Sequence, residues 1–359
     1  MSTFKHAAKN SYEKLSIFCH TVESAKYTKQ LIAKSAEPIP ELSASERKEI
    51  LSYWKQYGIQ LKNTEFHRFM YEKSGIRDPR FTPPWVADYI VYPYLNDLRL
   101  VNAWDDKAYL DLRLPDFPTP QQIVVNIGGY FHDGTLNRLS REEAVRLIRQ
   151  YDRVLVKPTI DSGESKGIRF YEAPFDCDQI FSHFRKNYSV QKIVRQSKTL
   201  SLLNESSLNC IRVITLQWDG KVDVLSSFVR IGGSGQVTDI SSNQFGCAPV
   251  RFDGQVGPVG MSPTYSPIRV SQTGTPLCEI TVPHFPDVLE MVKRAHLQYP
   301  HFGIIGWDIG IDENDQPVII ESNVRCPGPY NPQVFFGPLL GEYTDTILKA
   351  IKQSKSKDA

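Results

Sequence analysis

Gly303-Ile-Ile-Gly-Trp-Asp308-Ile-Gly-Ile-Asp312, then the turn Glu-Asn-Asp-Gln and Pro317-Val-Ile-Ile-Glu321-Ser-Asn323, is the stretch on which the reading of this chain rests. Strict alternation predicts two strands of a hairpin. Ile305, Trp307, Ile309 and Ile311 point one way; Ile304, Gly306, Asp308 and Gly310 point the other, on a face nearly bare around Asp308. Glu321 and Asn323 share a face on the return strand. With the turn centred near Asn314-Asp315, Asp308 faces Glu321, their Cβ atoms roughly 4.5–5.5 Å apart. Two carboxylates that close repel, which raises one pKa. A divalent cation removes the conflict, and Asp308, Glu321 and the Asn323 amide oxygen are hard ligands suited to Mg²⁺ holding a nucleotide triphosphate. The bland alternative is an exposed acidic hairpin. Against it, Val-Ile-Ile runs straight into Glu321, which places that carboxylate at the end of a buried strand where it needs a partner.

Working outward, Val154-Leu155-Val156-Lys157-Pro158 is a strand with a lysine at its exit. Thr-Ile-Asp-Ser162-Gly163-Glu-Ser165-Lys-Gly167 follows and then Ile-Arg-Phe-Tyr. Glycines beside Ser and Lys suit a loop whose backbone N–H groups wrap phosphates; an ordinary Gly/Ser hairpin is the alternative. The loop returns into a strand and carries neither GxxxxGK[ST] nor GxGxxG, which excludes the usual P-loop and dinucleotide motifs.

The rest of the chain predicts a frame for these pieces. Residues 1–75 read as helical, with a capping box at Ser43-Ala-Ser-Glu46 and a stop at Gly58. Residues 76–120 carry seven prolines, from Pro79 to Pro120, and read as loops and short elements leading into the core. Beyond them, strands are expected at Gln122–Ile127, Arg153–Lys157, Ile168–Glu172, Val190–Val194, Cys210–Trp218 and Val222–Ile231, the last two joined by an Asp219-Gly220 turn. Helices are expected after the Ser140/Glu143 capping box, over Asp178–Lys186 and from Pro286. Residues 232–280 read as loops and short strands, and 346–359 as a polar tail. Short strands mixed with helices indicate an α+β fold with antiparallel sheets, not a doubly wound parallel one. The organisation expected is 76–120 as connector, 121–195 as one subdomain and 196–345 as another.

Composition narrows the functional classes. Over 359 residues, 41% are hydrophobic and 23% charged, which is globular. With 42 Lys+Arg against 40 Asp+Glu the net charge is +2, which does not suggest a nucleic-acid or membrane-surface protein. No apolar run is long enough to span a bilayer and the start lacks an apolar signal region. Six scattered cysteines without a CxxC pair fit free thiols in a reducing cytoplasm. The histidines form no metal cluster, and Ser206 and Cys210 lack a base at readable spacing.

Taken in order and spacing, these motifs resemble the ATP-grasp superfamily over about residues 50–345. They look most like its sugar-transfer-associated branch, found among bacterial polysaccharide genes. Asp106-Lys107 followed by Pro118-Thr-Pro resembles the family's entry to the nucleotide half. Val156-Lys157-Pro resembles its second lysine, and Ser162–Gly167 its loop over the phosphates. Gln191-Lys192-Ile193-Val194 is similar to the hinge that holds adenine, with Gln191 where many relatives carry Glu. Ser207-Leu-Asn209-Cys-Ile-Arg212 resembles this branch's S-L-N-x-x-R element. Asp308, Glu321 and Asn323 fall on its magnesium positions. After Arg230-Ile-Gly-Gly the chain departs from its relatives, reading Thr-Asp239-Ile-Ser-Ser-Asn243.

The resemblance implies an ATP-grasp fold in which two α+β subdomains grip ATP, here behind a helical N-terminal extension. It implies ATP with Mg²⁺ as cofactors, two ions or Mn²⁺ in their place. ATP contacts would come from Lys107, Lys157, Ser162, Gly163, Ser165, Gly167, Gln191, Lys192, Ile193 and Val194, and the metal would sit on Asp308, Glu321 and Asn323. Arg212, Arg325 and Asn209 are the catalytic candidates, with a strand-edge salt bridge as the alternative for Arg212 and a loop contact for Arg325. The activity implied is ADP-forming, ATP-dependent ligation of a small-molecule or saccharide carboxylate to an amine in surface-polysaccharide synthesis. A phosphotransferase and a non-catalytic nucleotide-binding module are the rivals.

Overall fold

The structure, a computed structural model, describes residues 24–33, 35, 37–160, 167–235, 244–328 and 331–357. The chain divides into two compact units. One comprises residues 1–96, 264–266 and 328–359; the other comprises 97–263 and 267–327.

The first unit is helical. Helix Ala44–Gln56 opens with the expected capping box: Ser43 Oγ accepts from the Glu46 N–H, and the Ser43 N–H donates to Glu46 Oε2. Helix Glu65–Ser74 ends at Gly75, whose φ of +71° closes it in a left-handed cap. Trp54 is fully buried and donates its indole N–H to Pro79 O at 2.9 Å. Residues 346–357, read from sequence as part of a polar tail, lie instead on helix Thr344–Lys357. Ile347, Leu348 and Ile351 repeat at helical spacing and are buried. Near its start, Asp345 accepts hydrogen bonds from Tyr53 at 2.8 Å and Tyr57 at 2.7 Å.

The second unit holds two antiparallel sheets. The five-stranded sheet contains β1 (Gln122–Ile127), β2 (Tyr130–His132), β3 (Arg153–Pro158), β4 (Arg169–Glu172) and β5 (Tyr188–Lys192), in the order β2-β1-β5-β3-β4. Helices Arg141–Ile148 and Cys177–Phe184 cover one face, packing on Val124, Val154, Val156, Tyr188 and Val190. Period-2 alternation then turns Leu155, Lys157, Ser189 and Gln191 to the other face. The fifth strand spans Tyr188–Lys192 rather than the expected Val190–Val194, because Tyr188 belongs to the helix-covered core while Ile193 and Val194 run past the sheet.

The seven-stranded sheet contains β6 (Ile211–Trp218), β7 (Lys221–Gly232), β8 (Gln244–Pro249), β9 (Gly260–Met261), β10 (Pro267–Ile268), β11 (Ile304–Ile311) and β12 (Pro317–Asn323). Their order is β10-β9-β8-β7-β6-β11-β12. Asp219 and Gly220 make the β6–β7 turn with φ of +49° and +75°. Helix Phe285–His296 packs through Phe285, Val288, Val292 and Ala295 on the core face that holds Ile305, Trp307, Ile309 and Ile311. Trp307 is fully buried and satisfies its indole N–H on Thr215 Oγ1 at 2.8 Å. Burial of side chains of this size contributes roughly 1.5–3 kcal/mol each.

The β11–β12 register differs from a simple hairpin. The Asp312 N–H bonds to Gln316 O, which leaves a three-residue turn, 313–315, with Asp315 at φ +61°. Ile311 pairs with Pro317 and Ile309 with Ile319, but Asp308 pairs with Glu321, so Ile320 is an extra residue in the ladder. Without that bulge, Glu321 would stand opposite Trp307 and face the apolar core. The shorter turn and the bulge offset each other, and the carboxylates end up paired as the alternation predicts.

Candidate active site

Asp308 lies on β11, next to the edge strand β12, on the face opposite Trp307, and is 4% exposed. Arg212, directly opposite on β6, donates Nε to Asp308 Oδ1 at 2.6 Å and Nη2 to Oδ2 at 3.1 Å. Its Nη1 donates to Pro327 O at 2.9 Å. Arg230, on β7, places Nη2 3.1 Å from Asp308 Oδ2. Asn323 Nδ2 donates to Gly306 O at 3.2 Å and to Asp308 Oδ2 at 3.4 Å. Glu321 is less buried, and its Oε1 lies 3.1 Å from Lys107 Nζ. The expectation that repulsion raises a carboxylate pKa is therefore corrected for Asp308. Burial pushes it up, but the Arg212 and Arg230 guanidiniums and the hydrogen bonds hold it below the ordinary carboxylate range. The protein supplies the counter-charges itself.

The face around Asp308 is bare for a second reason. A Cβ on Gly306 would lie 2.7 Å from Pro327 O, so the glycine lets that backbone cross the sheet and accept from Arg212. Gly310 gives similar room to Leu208 and Ile320.

Lys107 joins the two sheets. Asp106 caps a short 3-10 turn, Lys107–Tyr109, by accepting from Ala108 N; the Lys107 N–H donates to Thr159 O beyond β3, and its side chain reaches Glu321 on β12. Lys157, at the exit of β3, is 6% exposed. Burial lowers its pKa to about 8, with Lys107 acting in the same direction and Glu321 and Asp111 opposing. A row of polar groups lies beside it: Ser189 Oγ donates to Gln122 Oε1 at 2.9 Å, and Gln122 Nε2 donates to Ala108 O at 3.3 Å.

One cavity brings these groups together. Lys107, Lys157, Asp308, Glu321, Arg230 and the segment Gln191–Val194 all line it, with Leu155, Phe170 and Ile320 as apolar wall. Of the loop expected to cover the phosphates, Ser162, Gly163 and Ser165 lie outside the described residues. Gly167 is described, with φ +79°, and packs against Pro158. None of the three catalytic candidates lines the cavity: Arg212 is bound to Asp308 and Pro327 O, and the other two lie apart from it. Asn209 is fully buried, its Nδ2 within bonding reach of Gln196 Oε1 and the carbonyls of Leu200 and Asn204, its Oδ1 accepting from Gly232 N. It ties the 196–209 segment to the end of β7 and has no face toward the cavity. Arg325 is exposed, donates to Asn102 Oδ1 at 2.5 Å, and does not line the cavity. Arg230, in contrast, was not singled out from sequence. The signal was parity: Arg212 pairs with Phe228, which puts Arg230 on the same face.

Asp308, Glu321 and Asn323 carry donor chemistry of the kind magnesium takes, with both Asp308 oxygens also met by Arg212 and Arg230. Among the described residues no three His, Cys, Asp or Glu side chains form a metal cluster. Two carboxylates and an amide suit an ion that keeps water and phosphate oxygens as its remaining ligands.

The fold, two antiparallel α+β sheets with a cavity lined from both and preceded by helices, is the ATP-grasp fold. The chain belongs to the sugar-transfer associated ATP-grasp family, whose profile matches residues 90–348. No curated protein matches the chain. Among solved structures it is similar to the ATP-grasp ligase PsnB complexed with a minimal precursor, at 14% identity and TM-score 0.40, covering 72% of this chain and 63% of that one. It is also similar to the D-alanine–D-alanine ligase of Coxiella burnetii, at 10% identity and TM-score 0.42, over 72% and 60% of the two chains. An N5-carboxyaminoimidazole synthase from Aspergillus clavatus, in complex with ADP and 5-aminoimidazole ribonucleotide, aligns at 11% identity and TM-score 0.42 over 69% and 53%. The chain spans less than two thirds of the length of each. No helix among the described residues is long and apolar enough to cross a membrane.

Proposed function

We propose that this chain is an ATP-dependent, ADP-forming carboxylate–amine ligase that works through an acyl phosphate and joins an amine or amino acid to a sugar acid in bacterial surface-polysaccharide synthesis. The observation that supports it best is the meeting, in one cavity, of Lys107 and Lys157 with the Asp308–Glu321 pair beside the Gln191–Val194 hinge. Sugar chemistry is supported by the family's association with sugar transfer.

In this reading Gln191–Val194 and the apolar wall hold the base, and Lys107 and Lys157 hold the α- and β-phosphates as point charges. Asp308, Glu321 and Asn323 would hold magnesium, which neutralises the β- and γ-phosphate charge when bound. A substrate carboxylate oxygen attacks the γ-phosphorus, the bond to the β-phosphate oxygen breaks and ADP leaves. The amine then attacks the acyl carbon, expelling phosphate and losing a proton to solvent. Positioning and charge stabilisation carry the catalysis. The test is a matrix of uronic acids against amino acids, reading ADP, phosphate and amide. ADP release that requires both partners, with an amide formed, is the expected result. ADP with a stable phosphate ester and no need for an amine would replace the ligase by a phosphotransferase.

A further inference from the structure

Each carboxylate of the candidate metal set has a cation of the chain itself beside it. Donors surround Asp308: Arg212 Nε stands 2.6 Å from Oδ1, and Arg212 Nη2, Arg230 Nη2 and Asn323 Nδ2 stand 3.1, 3.1 and 3.4 Å from Oδ2. Glu321 has Lys107, whose Nζ lies 3.1 Å from Oε1. Of the described charged residues that line the cavity, five are cationic and three are carboxylates. A cavity of that balance attracts a polyphosphate and repels a bare divalent cation.

The two carboxylates differ in what an incoming cation has to displace. At Asp308 it meets a bidentate fork, and Arg212 is fixed a third time by donating to Pro327 O at 2.9 Å. Glu321 is the more open, its side chain 31% exposed against 6% for Asp308, and it meets an ammonium on a flexible four-carbon stem. The backbone under that ammonium is held. The Lys107 N–H donates to Thr159 O at 3.0 Å, Asp106 accepts from Ala108 N at 2.9 Å, and Asp105 accepts from the Val324 N–H just past β12. The Lys107 side chain can therefore change partners while the turn that carries it stays in place.

We propose that Lys107 and the divalent cation compete for Glu321: Lys107 closes the carboxylate pair to a bare metal ion, and nucleotide phosphate opens it by drawing the ammonium away. This rests on the reading above, in which the cavity takes nucleotide and metal together. An ammonium and a divalent ion on one carboxylate repel each other, and a polyphosphate offers the lysine more negative charge than Glu321 does. The metal then enters with the nucleotide or after it, and Lys107 sets that order.

The test needs neither turnover nor the substrates. Mn²⁺ is the probe, and protein-bound ion is read by equilibrium dialysis. The wild type is expected to hold Mn²⁺ alone only in the millimolar range or weaker, and to retain Mn²⁺ and ADP together. Lys107→Met is expected to bind Mn²⁺ alone at least about fivefold more tightly, because it frees the carboxylate and removes a positive charge beside a doubly charged ion. Adding Glu321→Gln to that variant is expected to return Mn²⁺ binding to the wild-type level, which places the gain on Glu321. Should Lys107→Met not fold, Lys107→Gln, which keeps a polar end, carries the same comparison. Micromolar binding of Mn²⁺ alone by the wild type, no tightening in either Lys107 variant, or a tightening that survives Glu321→Gln overturns the proposal. Failure of the wild type to retain ADP or ATP with Mn²⁺ would instead sink the ligase reading, and the opening by phosphate with it.

Discussion

Asp308 and Glu321 are paired across two strands but differ in surroundings, and that difference separates their variants. Asp308 is buried against Arg212 and Arg230, whereas Glu321 is 31% exposed and meets Lys107. Asp308→Asn leaves two guanidiniums short of their anion in the interior, which should cost about 3–5 kcal/mol of stability. Glu321→Gln should cost within about 1 kcal/mol, since a part-exposed pair is worth little. Both should lose Mg²⁺-dependent ADP formation. Urea unfolding beside a turnover assay separates the effects; a Glu321→Gln protein with wild-type turnover would remove the metal assignment. Lys157 gives a pH signature. Burial depresses its pKa to about 8, so the empty site loses this charge as pH rises through that value. A bound polyphosphate favours the charged form and raises the pKa again, so nucleotide binding should take up protons near pH 8 and weaken at higher pH. The sign for stability follows. Above pH 8 and below the unfolded lysine value the unfolded chain holds more protons at this site, so its contribution to stability rises with pH. Calorimetry in buffers of different ionisation enthalpy should detect the uptake, and Lys157→Met should abolish it. Equal uptake in that variant would place the proton elsewhere.

At the scale of elements, the strand β11 carries two glycines with different reasons for being there. An added Cβ at Gly306 meets the Pro327 backbone at 2.7 and 2.9 Å, while at Gly310 it meets only the side-chain ends of Ile320 and Leu208 at 3.3 Å. Gly306→Ala must therefore displace the backbone that accepts from Arg212 and should cost about 1–3 kcal/mol. Gly310→Ala should cost clearly less, as flexible side chains give way. Equal midpoints in denaturant for the two variants would contradict this account. The same strand shows how far sequence carries the reading. Alternation is a strong signal where one face is a continuous apolar core, and Ile305, Trp307, Ile309 and Ile311 made it plain. It placed Asp308 and Glu321 on one face, but it could not show that a three-residue turn and the Ile320 bulge produce that pairing together. Arg230 escaped because its partner lies two strands away and 78 residues later in the chain. Asn209 attracted attention as part of a motif. Its polar amide, though, serves loop carbonyls and a strand N–H, and no spacing rule separates a buried amide of that kind from one that meets substrate. The helix at 344–357 was obscured by its lysines: Lys349 stands between Leu348 and Ile351 in the sequence but falls on the exposed side of the helix.

For the whole molecule, the cavity residues and the buried aromatic residues of the helices belong to different units. Lys107, Lys157, Gln191, Arg230, Asp308 and Glu321 all lie in the second unit, whereas Trp54, Phe66, Phe69, Met70 and Phe81 are buried in the first. A ligand that binds only the folded state stabilises it by mass action, by about 2.7 kcal/mol at a hundred times its Kd. For a unit of 150–250 residues each kcal/mol moves the melting temperature by roughly 2–4 °C, so saturating MgADP should raise the transition of the second unit by about 5–10 °C. Lys107→Met should lose most of that shift if, as proposed, this lysine holds the nucleotide's phosphates. Trp54→Phe supplies the contrast. It gives up the indole bond to Pro79 O and leaves a small void, which should lower stability by about 1–3 kcal/mol. Trp54 does not line the cavity, so its MgADP dissociation constant should stay within about twofold of wild type, a difference of at most 0.4 kcal/mol or so. Scanning calorimetry with and without MgADP, beside a binding titration of each variant, gives both quantities. If Trp54→Phe weakened MgADP tenfold, the helical unit would have to be counted as part of the nucleotide site.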